Sequence, residues 1–157
     1  MISVINSNIW LNLIWKDYRL IWEPLEYANI SVINMPIKQI WRPDVLMYNS
    51  ADEKFDATFP TNAVIQHTGD VNWVPPGMFK STCNINIQWF PFDEQQCELK
   101  FGSWTYDGTK LNLTLMSDTG DISAFIKNGE WTLLGNNSGG TDYSSLLFSI
   151  LSRPYCQ

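Results

Sequence analysis

Long hydrophobic runs are missing from this chain of 157 residues. A membrane-spanning helix needs about 18–20 consecutive apolar residues. The longest late run, Leu146 to Leu151, is too short and contains Ser149. Histidine is nearly absent too, with His67 the single copy, and there are only three cysteines. No metal-ligand cluster, catalytic triad or phosphate-binding loop can be assembled from these residues, so neither an enzyme nor a metal or cofactor is expected. His67 reads as an exposed turn residue. Basic charge is scarce: ten Lys and Arg stand against sixteen Asp and Glu, for a net charge of −6. That balance argues against nucleic-acid binding. It suits attraction of a small cation, and equally suits plain solubility. Charged residues make up 17% and apolar residues 45%, a globular rather than a disordered composition. A sustained 3.6-residue periodicity is also lacking, which excludes a helical architecture.

Aromatic residues are abundant: eight Trp, eight Phe and six Tyr. Such residues favour sheets and also line sites for organic cations. Ile9, Leu11, Leu13 and Trp15 form one face of an early strand. Shorter strands are expected at 30–33 and 45–48. Strands at 63–66 and 71–74 flank Thr68-Gly69-Asp70, which reads as a hairpin turn. Two further strands lie around Cys83 and Cys97, then come 110–116 and 130–134. Strands about ten residues apart, with Pro and Gly between them, predict an all-β, antiparallel β-sandwich of immunoglobulin-like type. Residues 1–135 read as one domain. Residues 136–157 form a tail of uncertain structure, opening with the loop-like Asn136-Asn137-Ser138-Gly139-Gly140.

The densest signal lies between Cys83 and Cys97, which bracket Asn-Ile-Asn-Ile-Gln-Trp-Phe-Pro-Phe-Asp-Glu-Gln-Gln. Ile85, Ile87 and Trp89 alternate with polar residues, as in a strand with one wet face. Phe90-Pro91 ends that alternation, since proline lacks a backbone donor. Leu99 and Phe101 begin another. The spacing, with Phe90, Pro91 and Asp93, resembles the signature of the Cys-loop pentameric ligand-gated ion channels. The alternative is a disulfide-stapled hairpin of some other secreted β-protein. The resemblance implies a Cys83–Cys97 disulfide, and a loop of about 15 residues closed in this way gains roughly 3 kcal/mol in the chain-entropy model. It also implies a cis Phe90–Pro91 bond, and a role for Phe90, Pro91, Phe92 and Asp93 in coupling agonist binding to the pore.

Further motifs narrow the resemblance to nicotinic acetylcholine receptor subunits. They are Ile9-Trp10-Leu11, Trp41-Arg42-Pro43-Asp44, Tyr48-Asn49-Ser50-Ala51-Asp52, Phe55-Asp56-Ala57-Thr58-Phe59, Lys100 to Tyr106, and Asn128-Gly129-Glu130-Trp131. The pattern is most similar to alpha-type neuronal subunits of the kind that form homopentamers. The family binds acetylcholine or a related cationic agonist in an aromatic cage between two subunits, and opens a cation pore at the synaptic plasma membrane. On that resemblance Tyr48 and Trp104 lie on the principal face of the cage, and Asp44 supports the backbone beside Trp104. Trp15, Val64, Asn72 and Val74 lie on the complementary face. Trp10, Trp22, Trp41, Trp73, Trp89 and Trp131 are assigned to structural packing.

One departure stands out. Alpha-type subunits carry adjacent cysteines flanked by tyrosines in a later loop. This chain offers only Tyr143, Tyr155 and Cys156 in that region. Sequons at Asn29, Asn112 and Asn136 are glycosylation candidates and, like the disulfide, point to a secretory route. The first residues, Met1 to Asn8, are not a secretory signal. A domain truncated at both ends reconciles these points. Two rival functions follow: a soluble module like the acetylcholine-binding proteins, or a truncated isoform without channel activity.

Overall fold

The computed structural model describes residues 2–127, 129–142 and 145–154, with the main chain alone from 137 onward. Tyr143, Tyr155 and Cys156 lie outside the described residues. Among the described residues there are ten strands: β1 (Ile2–Trp10), β2 (Leu13–Ile21), β3 (Val32–Pro36), β4 (Val45–Met47), β5 (Asn62–Gln66), β6 (Thr68–Trp73), β7 (Pro76–Asn84), β8 (Gln95–Ser103), β9 (Trp131–Asp142) and β10 (Ser145–Pro154). Pro24–Tyr27 and Ile37–Gln39 form single 3-10 turns. Among the described residues no helix is long and apolar enough to cross a membrane. The architecture is all-β with antiparallel pairing, consistent with the expected β-sandwich class.

Chain contacts divide into two compact units built from interleaved segments. One comprises Asn8–Arg42 and Ala57–Met78. It contains the sheet β2-β6-β5-β3. Strict alternation gives that sheet two unlike faces. Trp15, Val71, Ile65 and Ile33 form a cross-strand row on one face. They join the apolar cluster of Ile37, Ala63, Ile65, Val71 and Trp73. The opposite row, Ile14, Asn72, Val64 and Asn34, is exposed. The Trp73 indole donates to Thr61 Oγ1 at 3.0 Å, and Arg42 sits 5.3 Å over its ring. A bulge in β2 holds Asp17, whose carboxylate accepts from Arg19 Nε at 2.9 Å and from a second guanidinium nitrogen at 2.7 Å.

The other unit comprises Met1–Ser7, Pro43–Asp56 and Phe79–Gln157. Its sheet runs β4-β8-β10-β9. Met47, Phe79, Leu99 and Phe101 are buried here, and Phe79 meets Phe101 edge to face at 5.2 Å. The Cys83–Cys97 disulfide joins β7 to β8 with the Cα atoms 5.3 Å apart. The Phe90–Pro91 bond is cis, as the resemblance implies.

Several boundaries differ from those expected. Ile9 to Trp15 is two strands rather than one, because β1 pairs with β7 and β2 pairs with β6. The burial phase of Ile9, Leu11, Leu13 and Trp15 continues through the break, so alternation alone could not reveal the change of partner. Thr68-Gly69-Asp70 lies within β6, and the turn falls at His67. Gly69 has φ +85, and a Cβ there would come within 2.7 Å of the Asp17 carbonyl oxygen. Glycine thus serves a close approach rather than the turn.

Residues 85–89 are not a strand, since β7 ends at Asn84. There Gln95 captures the backbone of Asn86 and competes with ladder bonding. Residues 110–116 also lack strand pairing. The Asp107 carbonyl takes the N–H groups of Lys110 and Leu111 in a turn instead. In the tail, β9 extends to Asp142 and pairs with β10, which also pairs with β8. Its sequence shows no polar–apolar alternation, the cue on which a half-buried strand is recognised.

Candidate functional site

Strand β4 ends one residue before Tyr48, and β8 ends one residue before Trp104. The antiparallel register of Val45 with Ser103 and Met47 with Phe101 brings those two ends together. Tyr48 N–H donates to the Lys100 carbonyl at 2.7 Å, and its hydroxyl donates to the Ser103 carbonyl at 2.5 Å. The Tyr48 and Trp104 rings meet at 6.3 Å with an interplanar angle of 64°. Phe55 adds a third ring, 6.1 Å from Trp104. Trp104 nevertheless keeps 66% of its surface exposed. Such an open indole face with aromatic neighbours is the arrangement that attracts an organic cation through the ring quadrupole.

Asp44 organises the backbone beside Trp104. Its Oδ1 accepts from Ser103 Oγ at 2.5 Å, and its Oδ2 accepts from Thr105 N–H at 2.7 Å. Its carbonyl accepts from Trp104 N–H at 3.3 Å. Ser103 Oγ in turn accepts from Tyr106 N–H at 3.0 Å. Burial pushes the Asp44 carboxyl up, but the hydrogen bonds from Ser103 and Thr105 outweigh it and hold the group below its ordinary value. Residues on both sides of Trp104 are therefore tied to one carboxylate. The structure brings Tyr48, Trp104 and Asp44 together. Phe55 belongs to one of the motifs that carry the resemblance but was not assigned to the site, because its contact with Trp104 has no local signature.

The residues expected on the complementary face separate into two groups. Val64 and Asn72 are directly opposed across β5 and β6, and Val74 follows two residues later in the same phase. All three are exposed. Trp15 pairs with Val71 and so points to the opposite, core-lining side of the sheet. It packs edge-on against Trp41 at 6.1 Å, and its buried indole N–H has no hydrogen-bond partner. Period-two alternation forbids Trp15 from sharing a face with Val64 and Asn72 in this register. The exposed tryptophan near Val74 is Trp10, 66% exposed, whose neighbour Leu11 donates its N–H to the Pro75 carbonyl at 3.2 Å. Trp10 and Trp89, both assigned to packing from sequence, are exposed, whereas Trp73 is fully buried.

The loop between the disulfide cysteines has a polar root and an apolar tip. Gln95, with 2% of its surface exposed, donates to the Asn86 carbonyl at 2.7 Å and accepts from Asn86 N–H at 3.0 Å. It also donates to Asp93 Oδ2. Asp93 is buried, and its Oδ1 has no partner. Ile87, Trp89, Phe90 and Phe92 project outward, Phe92 with 79% of its surface exposed. Gln95 was missed from sequence because a glutamine in a polar run carries no positional signal.

A family model described as neurotransmitter-gated ion-channel ligand binding domain matches residues 2–150. The chain belongs to this family. Members of the family are receptors rather than enzymes. Among curated proteins, the acetylcholine receptor subunit alpha-type acr-16 of Caenorhabditis elegans is 55% identical over 131 residues, covering 83% of this chain and 26% of the relative. The neuronal acetylcholine receptor subunit alpha-2 of Mus musculus is 42% identical over 153 residues, 98% of this chain and 29% of the relative. The neuronal acetylcholine receptor subunit beta-2 of Rattus norvegicus is 43% identical over 157 aligned residues, 96% of this chain and 31% of the relative. This ligand-binding domain chain thus spans under a third of the length of these relatives. The alpha-2 and beta-2 subunits match it at comparable identity, below that of the alpha-type acr-16 subunit.

Proposed function

We propose that this ligand-binding domain is the extracellular, neurotransmitter-binding part of an acetylcholine-gated cation channel subunit at the plasma membrane of a synapse. The observation that carries the proposal is the exposed Trp104, flanked by Tyr48 and Phe55 and fixed at its backbone by Asp44. Acetylcholine is a permanent cation, so an aromatic cage binds it without requiring a hydrogen-bond partner. The names of the relatives support acetylcholine as the agonist. The site is completed by a neighbouring subunit of the pentamer, which offers its own Val64, Asn72 and Val74. Trp10 borders that wall, and Trp15 supports the sheet from behind.

Binding is passed to the pore through the loop at Phe90, Pro91, Phe92 and Asp93. The exposed apolar tip suits contact with a membrane domain and weighs against a purely soluble acetylcholine-binding module.

The decisive test is Trp104→Ala in the receptor subunit that carries this chain. A cation–π contact is worth about 0.5–2 kcal/mol, and the upper figure corresponds to roughly a thirtyfold rise in half-maximal acetylcholine concentration. An unchanged dose–response curve, with normal surface expression, would overturn the assignment.

A further inference from the structure

Three sequons occur in the chain, and their surroundings differ. We infer that Asn29 and Asn112 carry N-linked glycans and that Asn136 does not. The inference rests on the extracellular placement proposed above, since the modification takes place on the lumenal side of the secretory pathway. In the reaction the side-chain nitrogen, Nδ2, bonds to the anomeric carbon of an oligosaccharide. The donor is a lipid-linked oligosaccharide diphosphate. The sugar–phosphate bond breaks, the lipid diphosphate departs with the bonding electrons, and Nδ2 gives up one proton. The finished glycan is large and hydrated, so its asparagine has to face open solvent.

Asn112 meets that condition through a regular pattern. Leu111, Leu113 and Leu115 are half-buried, whereas Asn112 and Thr114 are exposed. The three leucines hold the segment down while the acceptor asparagine and the sequon threonine both lie on the wet side. Upstream, the Asp107 carbonyl anchors Lys110 and Leu111 at 3.1 and 3.0 Å. The glycan would therefore stand on a tethered segment.

Asn29 sits at the end of the Pro24–Tyr27 turn, in the left-handed region with φ 59. Asparagine tolerates that conformation better than most residues. Its N–H is fixed to the Pro24 carbonyl at 2.8 Å, and Asn29, Ile30 and Ser31 are all exposed. Both sequon side chains are thus presented from a turn whose main chain is held.

Asn136 differs at the reacting atom itself. It is half-buried in β9, and its Nδ2 donates to the Gly120 carbonyl at 3.0 Å. Even a methyl group on Gly120 would come within 2.8 Å of that nitrogen. A sugar on Nδ2 would have to grow from a nitrogen already held against Gly120.

The test is site-resolved mass spectrometry on the receptor subunit containing this chain. The subunit is expressed in glycosylating cells, and its glycans are released enzymatically in heavy-oxygen water, which labels each vacated asparagine. The expected result is label at Asn29 and Asn112 and none at Asn136. The variants Asn112→Gln and Thr114→Ala, made separately, should each remove the same glycan, which distinguishes sequon loss from misfolding. A glycan on Asn136, or an unmodified Asn29 or Asn112, overturns the inference. If all three are bare while acetylcholine still opens channels at the surface, this inference fails and the function stands. If all three are bare and the domain is found in the cytosol, both fail.

Discussion

A Cβ placed on Gly102 would lie 2.5 Å from the hydroxyl oxygen of Tyr48 and 2.6 Å from its Cζ. Tyr48 lies flat across the end of β8 only because that position has no side chain. Gly102→Ala is expected to drive the Tyr48 ring away from Trp104. Overpacking of this kind costs about 1–3 kcal/mol. If half of that falls on binding, the half-maximal acetylcholine concentration rises roughly two- to twelvefold. Dose–response curves on surface-expressed receptor, compared with Gly102→Ser, provide the check. An unmoved curve in both variants would show that Tyr48 does not help to form the site.

The depressed Asp44 carboxyl gives a pH prediction with a definite sign. A carboxyl whose folded value lies below its unfolded one adds stability that is complete above the unfolded value, about 3.9, and disappears as pH falls through the folded value. Stability owed to Asp44 should therefore persist to about pH 4 and fade below it. Asp44→Asn keeps an acceptor but replaces the other with a donor facing Thr105 N–H. A loss of about 1.5–3 kcal/mol is expected at neutral pH. Urea unfolding of both forms between neutral and acid pH measures this. The two curves should converge under acid; parallel curves would contradict the role given to the carboxylate.

Trp15 and Trp10 should behave in opposite ways. Trp15→Ala empties space beside Val71 and Trp41, and large-to-small changes of this kind cost about 3–5 kcal/mol. Surface expression and thermal stability should fall sharply. Trp10→Ala removes an exposed ring, and changes at such positions usually stay within about 0.5 kcal/mol of the parent. Its effect should instead appear as reduced acetylcholine potency without loss of expression. The reverse pattern would place Trp15, not Trp10, at the complementary wall.

Gln95→Ala should destabilise the loop closed by the disulfide. It leaves both backbone groups of the exposed Asn86 and the buried Asp93 Oδ2 without their partner, and an abandoned buried polar group such as Asp93 Oδ2 costs about 1–3 kcal/mol. Gln95→Glu is the sharper variant, because a carboxylate cannot donate to Asp93 and repels it. Expected outcomes are low surface expression for the glutamate and intermediate expression with slowed or weakened gating for the alanine. Single-channel recording beside surface labelling separates the two.

Much of this is legible in the sequence. The Cys83–Cys97 pairing, the cis Phe90–Pro91 bond and the Asp44 support of Trp104 were all expected from motifs with fixed spacing. Asp44 could be read because Pro43 and the adjoining Trp41-Arg42 give it a recognisable setting. The sheet face that Trp15 takes was not legible, for a physical reason. Its phase relative to Leu11 and Leu13 was clear, but which side of the sheet that phase faced depended on its partner across β6. Val71 is that partner, and Val71 belongs to the core. Gln95 and Phe55 were missed because their importance lies in what they touch, at Asn86 and Trp104, rather than in any local pattern.

The sequence by itself determined the family, the all-β class, and the local chemistry near Trp104. These depend on residues a few positions apart, where spacing and side-chain type restrict the possibilities. Only the tertiary structure decided which face each strand buries, where β1 gives way to β2, and which tryptophans remain open to solvent. Those outcomes depend on pairing between segments far apart in the chain. A strand has two faces of equal local cost, and the choice between them is made by the partner it finds.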